Sequence, residues 1–142
     1  MTWIYNKKTL SETDIPEEAI GFIYKIIHQP TNKFYIGKKV LNFTRKKRLT
    51  KKEKELSENK RKTFKRVTTD SNWKNYWGSC KELNEDVKNL GEEQFVREII
   101  EFCFDKRQLS YKEVWYQFNL NVLEVNSYNG NILSRFFRPK TN

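Results

Sequence analysis

The chain is short of every residue that would staple it covalently or hold a soft metal. It has two cysteines, Cys80 and Cys103, and a single histidine, His28. Two thiols cannot build a disulfide framework, and a structural zinc site made of Cys and His alone needs about four ligands. No apolar run approaches the roughly 20 residues of a membrane-spanning helix. The amino terminus also lacks the apolar core of a secretory signal. These absences point to a cytoplasmic protein without a membrane partner. Acidic residues are outnumbered too: 18 Asp and Glu against 28 Lys and Arg leave a net charge of +10 over 142 residues. A single domain is expected at this length. The charge favours a polyanionic partner.

The excess charge is concentrated. Between Lys38 and Arg66 there are 14 Lys and Arg against three Glu, a local net of +11, so the rest of the chain nets −1. A solvated face or a basic tail is the plain alternative to nucleic-acid contact. Contact is favoured because the segment begins directly after the strand candidate Tyr35-Ile36-Gly37. Its candidate phosphate contacts are Lys39, Lys46, Lys47, Arg48, Lys51, Lys52, Arg61, Lys62, Lys65 and Arg66. Residues 44–62 hold good helix formers but few apolar anchors, Leu49 and Leu56 among them. A helix there gains little from packing before it meets DNA.

The organising stretch is Gly21 to Arg45, GFIYKIIHQPTNKFYIGKKVLNFTR. Residues 20–28 are rich in Ile, Phe and Tyr, which suit a half-buried strand. Pro30-Thr31-Asn32-Lys33 supplies a turn, with Asn tolerating positive φ. Phe34-Tyr35-Ile36 resumes the strand, and Gly37 is expected to let the backbone turn away. Tyr24 and Tyr35 then lie close on neighbouring strands.

Beyond the basic segment, residues 63–78 read as a loop with a short helical turn. Trp73, Tyr76 and Trp77, at helical spacing, favour a core role over base stacking. Ser79 and Glu82 predict a capping box for a helix with Leu83, Val87 and Leu90 inward and Gly91 closing it. Residues 95–104 are a third strand candidate. Ser110 to Leu123 is a second helix, with Tyr111, Val114, Trp115, Phe118 and Val122 as its apolar residues. The expectation is an α/β fold, a small three-stranded mixed sheet flanked by helices. Residues 1–19 form a lead-in whose Trp3-Ile4-Tyr5 patch suits the sheet. Residues 20–132 form the domain, with a basic insertion at about 44–70. Residues 133–142 form a tail in which Arg135, Arg138 and Lys140 suit either a phosphate-contacting arm or a docking segment.

Phe22-Ile23-Tyr24, ten intervening residues, then Tyr35-Ile36-Gly37 resembles the signature of the GIY-YIG nuclease family. Phe22 stands where the family often has Gly, and Gly21 sits one place earlier. Arg45, eight residues past Gly37, matches the family's arginine. Glu113 matches its helix glutamate and Asn129 the asparagine that follows. The likeness spans residues 20–132 and implies a metal-dependent DNA endonuclease using Mg²⁺ or Mn²⁺. By that likeness Glu113 is the metal ligand, with Glu98 and Glu101 as substitutes and a plain capping box, Ser110-x-x-Glu113, as the bland alternative. Arg45, or Arg48 one helical turn on, offers its fork of donors to the scissile phosphate. Lys38 binds phosphate or lowers a tyrosine pKa. Tyr35 is the favoured general base, with Tyr24 orienting water or phosphate. Asn129 either hydrogen-bonds in the site or serves a turn, and His28 reads as a surface or turn residue. Similar free-standing proteins are often phage-encoded, and some are homing endonucleases. The implied partner is double-stranded DNA. With no room for a separate DNA-binding module, a homodimer or a further partner would add specificity. The rival reading is a nucleic-acid-binding protein that keeps the fold but does not cut.

Overall fold

Phe22-Ile23-Tyr24 is buried on both sides in the computed structural model, which describes residues 2–58 and 61–140, the side chains of 43–47, 66 and 67 lying outside the described set. This run belongs to β3 (Gly21–His28). A turn at 29–32 follows, in which the His28 carbonyl accepts from the N–H of Asn32 at 2.8 Å. Asn32 takes the positive φ, 59°, that its sequence position invites. β4 (Lys33–Val40) then pairs antiparallel with β3 in unbroken register, from His28↔Lys33 to Gly21↔Val40. On the other side β3 pairs antiparallel with β7 (Phe95–Cys103), the third strand expected from the sequence. Ile23 faces Glu101 but Tyr24 faces Ile99, so Ile100 is an extra residue bulged beside the tyrosine.

Three strands are expected from the sequence; the sheet has five, in the order β2-β1-β7-β3-β4. The added pair is β1 (Trp3–Tyr5) and β2 (Lys8–Thr9). β1 runs parallel to β7, Trp3 facing Arg97, which makes the sheet mixed. Asn6 and Lys7 both adopt left-handed φ, 50° and 66°, and so form the tight turn that returns β2 along β1. Pairing across more than 90 residues leaves no local signature.

One face of the sheet packs Trp3, Phe22, Tyr24 and Ile99 against Trp73 and against Leu83 and Val87 of α2 (Lys81–Leu90). The other packs Ile23, Ile36 and Cys103 against Leu109 of α3 (Lys106–Asn119), with Val122 and Ile132. Burying each large apolar side chain contributes about 1.5–3 kcal/mol. Trp73, Tyr76 and Trp77 join the first cluster, so the core reading of these aromatics holds.

Both helix starts differ from expectation. α2 is capped at Cys80 without a side-chain bond. Glu82 instead pairs with Lys33 at 2.6 Å, and the Ser79 hydroxyl turns to Tyr35. α3 begins earlier, because the Asp105 carboxylate accepts from the N–H of Gln108 at 2.7 Å. Ser110 therefore lies inside the helix, and the Ser110-x-x-Glu113 capping box does not form. The helix also buries a face other than the one its apolar residues suggest: Leu109 and Gln117 are buried, whereas Tyr111, Trp115 and Phe118 are exposed.

The basic insertion departs most from its predicted form. Instead of a helix through 44–62 and a loop after it, two strands, β5 (Asn42–Arg48) and β6 (Phe64–Asp70), pair antiparallel as a separate sheet. Phe64, Val67, Thr68 and Thr69 supply the strand-favouring partner that local helix propensity overlooks. The short α1 (Lys51–Leu56) sits at the tip, capped by a reciprocal Thr50–Glu53 box. At the base, the Ser71 hydroxyl donates to the Val40 carbonyl at 2.6 Å. Near the carboxyl end, β8 (Asn131–Ile132) and β9 (Phe136–Phe137) form a third, minimal hairpin.

Candidate active site

Tyr24 lies directly opposite Gly37 in the β3–β4 ladder. A Cβ on Gly37 would stand 2.4 Å from the Tyr24 phenol oxygen and 2.6 Å from Cζ. The glycine therefore provides room for a ring and not a turn, and β4 runs on to Val40. Gly78, at φ +90°, closes over the same phenol, its Cβ position 3.5 Å from the oxygen. Tyr24 is 1% exposed, with ring centroids 6.1 Å from Tyr35 and 5.9 Å from Tyr76. Burial, with smaller contributions from Tyr35 and Tyr76, holds its pKa well above that of a free phenol. Tyr35 is half-buried, its hydroxyl 3.2 Å from Ser79 Oγ. Burial raises its pKa as well, and the Ser79 bond partly opposes the shift.

Tyr76 is placed by a residue that sequence reasoning missed. The Arg97 guanidinium lies between the rings of Trp3 (4.7 Å) and Trp77 (4.3 Å). It donates to the carbonyls of Lys74 and Tyr76, at 3.1 and 2.9 Å. Burial pulls its pKa down to about 10, so it remains charged at neutral pH. The available signal was a lone arginine alternating with Phe95 and Ile99 on the inward face of a strand.

β4 is the edge strand, and its outward backbone groups are matched one after another. The Phe34 carbonyl accepts from the N–H of Tyr128 at 2.7 Å. The Ile36 N–H donates to Asn129 Oδ1 at 3.0 Å, and the Ile36 carbonyl accepts from Asn129 Nδ2 at 2.9 Å and from Gln117 Nε2 at 3.2 Å. The Lys38 N–H holds the Glu113 carboxylate. The Asn129 amide thus does the work of a neighbouring strand's peptide group, closing an edge that would otherwise remain open. Arg138 fixes the loop that carries it, donating to the Val122 carbonyl at 2.5 Å, the Ser127 hydroxyl at 2.7 Å and the Val125 carbonyl at 2.9 Å. Within the tail, Arg138 serves docking, while Arg135 and Lys140 are exposed.

Tyr35, Glu113 and Asn129 line one cleft of about 380 Å³, together with Ser79, Tyr128 and the Leu133–Ser134 turn. Leu133 and Ser134 both have left-handed φ, 58° and 51°. Tyr24 lies behind Tyr35 and does not line the cleft. Lys38 Nζ reaches Ser110 Oγ at 3.0 Å. Burial raises the Glu113 pKa, against the opposing pull of the Lys38 charge and N–H. Glu98 sits across from Lys25, and Glu101 is engaged by the Tyr116 hydroxyl at 3.1 Å and by Lys112 at 3.5 Å. Neither lines the cleft, which leaves Glu113 as its one carboxylate among the described residues. No group of three or more His, Cys, Asp or Glu converges on a metal position among those residues.

The side chains of Arg45, Lys46, Lys47 and Arg66 lie outside the described residues; their backbones belong to the β5–β6 ladder. Arg45 and Arg48 are thus three apart on a strand and fall on opposite faces, so Arg48 is not one helical turn on from Arg45. Arg48, Lys51, Lys52, Arg61 and Lys62 are exposed. Lys65 pairs with Glu53, and Lys39 Nζ sits 4.1 Å over the Tyr76 ring. His28 is buried, its ring nitrogens 2.7 Å from Thr31 Oγ1 and 2.8 Å from Gln94 Oε1, so it ties down the turn.

The sheet thus lies between helices, and a phenol, Tyr35, and a carboxylate, Glu113, line one cleft at its edge strand. The family model described as "Putative endonuclease segE, GIY-YIG domain" matches residues 3–134, and the chain belongs to this GIY-YIG endonuclease family. Nuclease activity and a nucleic-acid substrate follow from that membership. No curated protein and no solved structure gives a significant match. No helix among the described residues is long and apolar enough to cross a membrane.

Proposed function

We propose that this chain is a divalent-metal-dependent endonuclease that hydrolyses phosphodiester bonds of double-stranded DNA. The observation that carries the reading is the meeting of Tyr35 and Glu113 in one cleft, although they come from opposite faces of the sheet. A single carboxylate without further protein ligands fits Mg²⁺ or Mn²⁺, since Mg²⁺ keeps several waters and takes its remaining ligands from phosphate. Glu113 would hold the ion, which when bound supplies charge neutralisation at the phosphate and stabilisation of the leaving oxygen.

The chain's own groups do the remainder. Lys38, oriented by Ser110, binds a phosphate oxygen. The uncapped amino end of α2 at Cys80 adds partial positive charge to the same cleft. Tyr35 would present its phenol to the attacking water, although burial disfavours its phenolate. Tyr24, locked over Gly37, is a positioning residue for the Tyr35 ring. A site-selective or homing-type enzyme acting on phage or host DNA in the cytoplasm suits this design, and a homodimer would bring two clefts to two strands.

The test is cleavage of supercoiled plasmid with Mg²⁺ or Mn²⁺ by wild type, Glu113→Ala and Tyr35→Phe, with EDTA as control. Nicked or linear product from wild type, and a fall of about 10²–10³-fold in each variant, is the expected result. Equal cutting by Glu113→Ala would reduce the carboxylate to an edge cap for Lys38. DNA binding with no cutting by wild type would leave the non-catalytic reading standing.

A further inference from the structure

Serine is among the best residues for starting a helix, yet α2 starts without Ser79. Its N-cap is Cys80, which makes no side-chain bond. A serine cap would contribute about 0.5–2 kcal/mol. The Ser79 hydroxyl lies instead 3.2 Å from the Tyr35 phenol oxygen, and both residues line the cleft with Glu113 and Asn129. Ser79 is exposed, so water is at hand for either hydroxyl and the bond adds little to stability. Helix capping and stability therefore do not account for where this hydroxyl points.

The segment that presents it is built. Gly78 precedes it at φ +90°, a conformation open to glycine. Asn84, one turn into α2, donates through Nδ2 to the carbonyls of Gly78 at 2.9 Å and Cys80 at 2.8 Å, and so brackets Ser79. Cys80 Sγ donates to the Tyr128 carbonyl at 3.6 Å, tying the segment to the loop that carries Asn129. The tyrosine is held as well. A Cβ on Gly37 or Gly78 would stand 3.0 or 3.4 Å from Tyr35 Cε1, so one edge of the ring runs beside two glycine backbones. Ser79 then fixes the oxygen at the ring's tip. With a neutral phenol either hydroxyl can donate, but a phenolate has no proton, and Ser79 is then the donor.

We propose that Ser79 is a positioning residue for Tyr35, whose hydroxyl, by bonding the phenol oxygen, aims that oxygen at the attacking water. The inference rests on the nuclease reading, in which Tyr35 meets that water. Misplacing a reacting group by about 1 Å can cost on the order of 10²-fold in rate. A group that acts only on the reacting geometry should be felt in kcat and not in KM.

The test is a double-mutant cycle on supercoiled-plasmid cleavage by the full chain with Mg²⁺ or Mn²⁺. Ser79→Ala is expected to lower kcat about tenfold or more with KM within about twofold. Ser79→Thr keeps a hydroxyl and should recover most of the loss. In a Tyr35→Phe background, Ser79→Ala should change kcat by less than about twofold, because the oxygen it acts through is gone. An unchanged kcat in Ser79→Ala would overturn the proposal. So would a loss that persists in the Tyr35→Phe background or that Ser79→Thr leaves unrecovered. A second readout needs no cleavage: NMR of the full chain in EDTA, its tyrosines labelled with ¹³C at Cζ and the Tyr35 signal assigned through Tyr35→Phe. Ser79→Ala should shift that signal and Ser79→Thr should return it towards wild type; an unmoved signal removes the bond and the proposal with it. Circular dichroism checks that each variant folds. Wild type that does not cut, while the Tyr35 signal still answers to Ser79, sinks the nuclease reading alone. Full cutting by Ser79→Ala sinks the positioning role alone.

Discussion

Two hairpins follow one another along this chain with ladders of nearly equal length, and they are held together by opposite means. β3–β4 buries Phe22, Ile23, Tyr24, Ile26 and Ile36 between helical layers. β5–β6 forms a sheet of its own and aligns cations across its register. The first hairpin is stable by its own packing and supplies the cleft. The second depends on what surrounds it, which is the property expected of a surface made to be neutralised by a partner.

The strongest way to break the contrast is to cut into the packed hairpin. Phe22→Ala is expected to cost about 3–5 kcal/mol, read from urea unfolding. Thr68→Ala on the second hairpin should stay within about 0.5 kcal/mol. Gly37→Ala comes next. Its added methyl group must displace the Tyr24 ring, at about 1–3 kcal/mol, and Tyr24→Phe should not restore the loss because Cζ is itself within 2.6 Å. Lys46→Glu works in the other direction. It replaces a cation pair with an attractive one opposite Arg66, and should stabilise by about 0.2–1 kcal/mol. Thermal melts should show that gain shrinking as salt is added. The smallest effect concerns the tip. Lys65, then Thr50, holds the Glu53 carboxyl at about 2, below its ordinary 4.5. The stabilisation is therefore complete above pH 4.5 and fades as the pH falls from there towards 2, which an NMR titration of the Glu53 carboxyl would follow.

The same contrast explains what was legible in the sequence. β3, β4, β7 and the inward face of α2 announce themselves through apolar pattern and local turn chemistry. β5 and β6 do not, because a strand paired against a basic partner carries no hydrophobic period, and Lys-rich stretches favour helix locally. β1 is hidden for a different reason, since its partner lies at Arg97–Ile99. In the cleft, Tyr35 was nameable from the spacing of the two tyrosine motifs, and Glu113 through the family resemblance. The meaning of Gly37 was not, because only the register shows which ring lies over it. Ser110-x-x-Glu113 looked like a cap until Asp105 proved to start the helix earlier. Asn129 was readable as a residue of interest, but its partner, the backbone of Ile36, leaves no trace in side-chain chemistry.

That partnership bears on how the protein ages. Asn129 is followed by Gly130, and the unhindered peptide nitrogen of a glycine is well placed to attack a preceding asparagine amide, releasing ammonia and leaving aspartate or its isomer. In the native fold that amide is buried at 3% exposure and bound at both ends to Ile36. Folding therefore shelters a chemically weak link. Should the change occur while the chain is open, Nδ2 becomes an oxygen facing the Ile36 carbonyl, a donor turned acceptor at the strand edge that frames the cleft. Preparations held unfolded or warm should accumulate molecules that refold poorly, and peptide mapping should find the damage concentrated at the Asn129-Gly130 step.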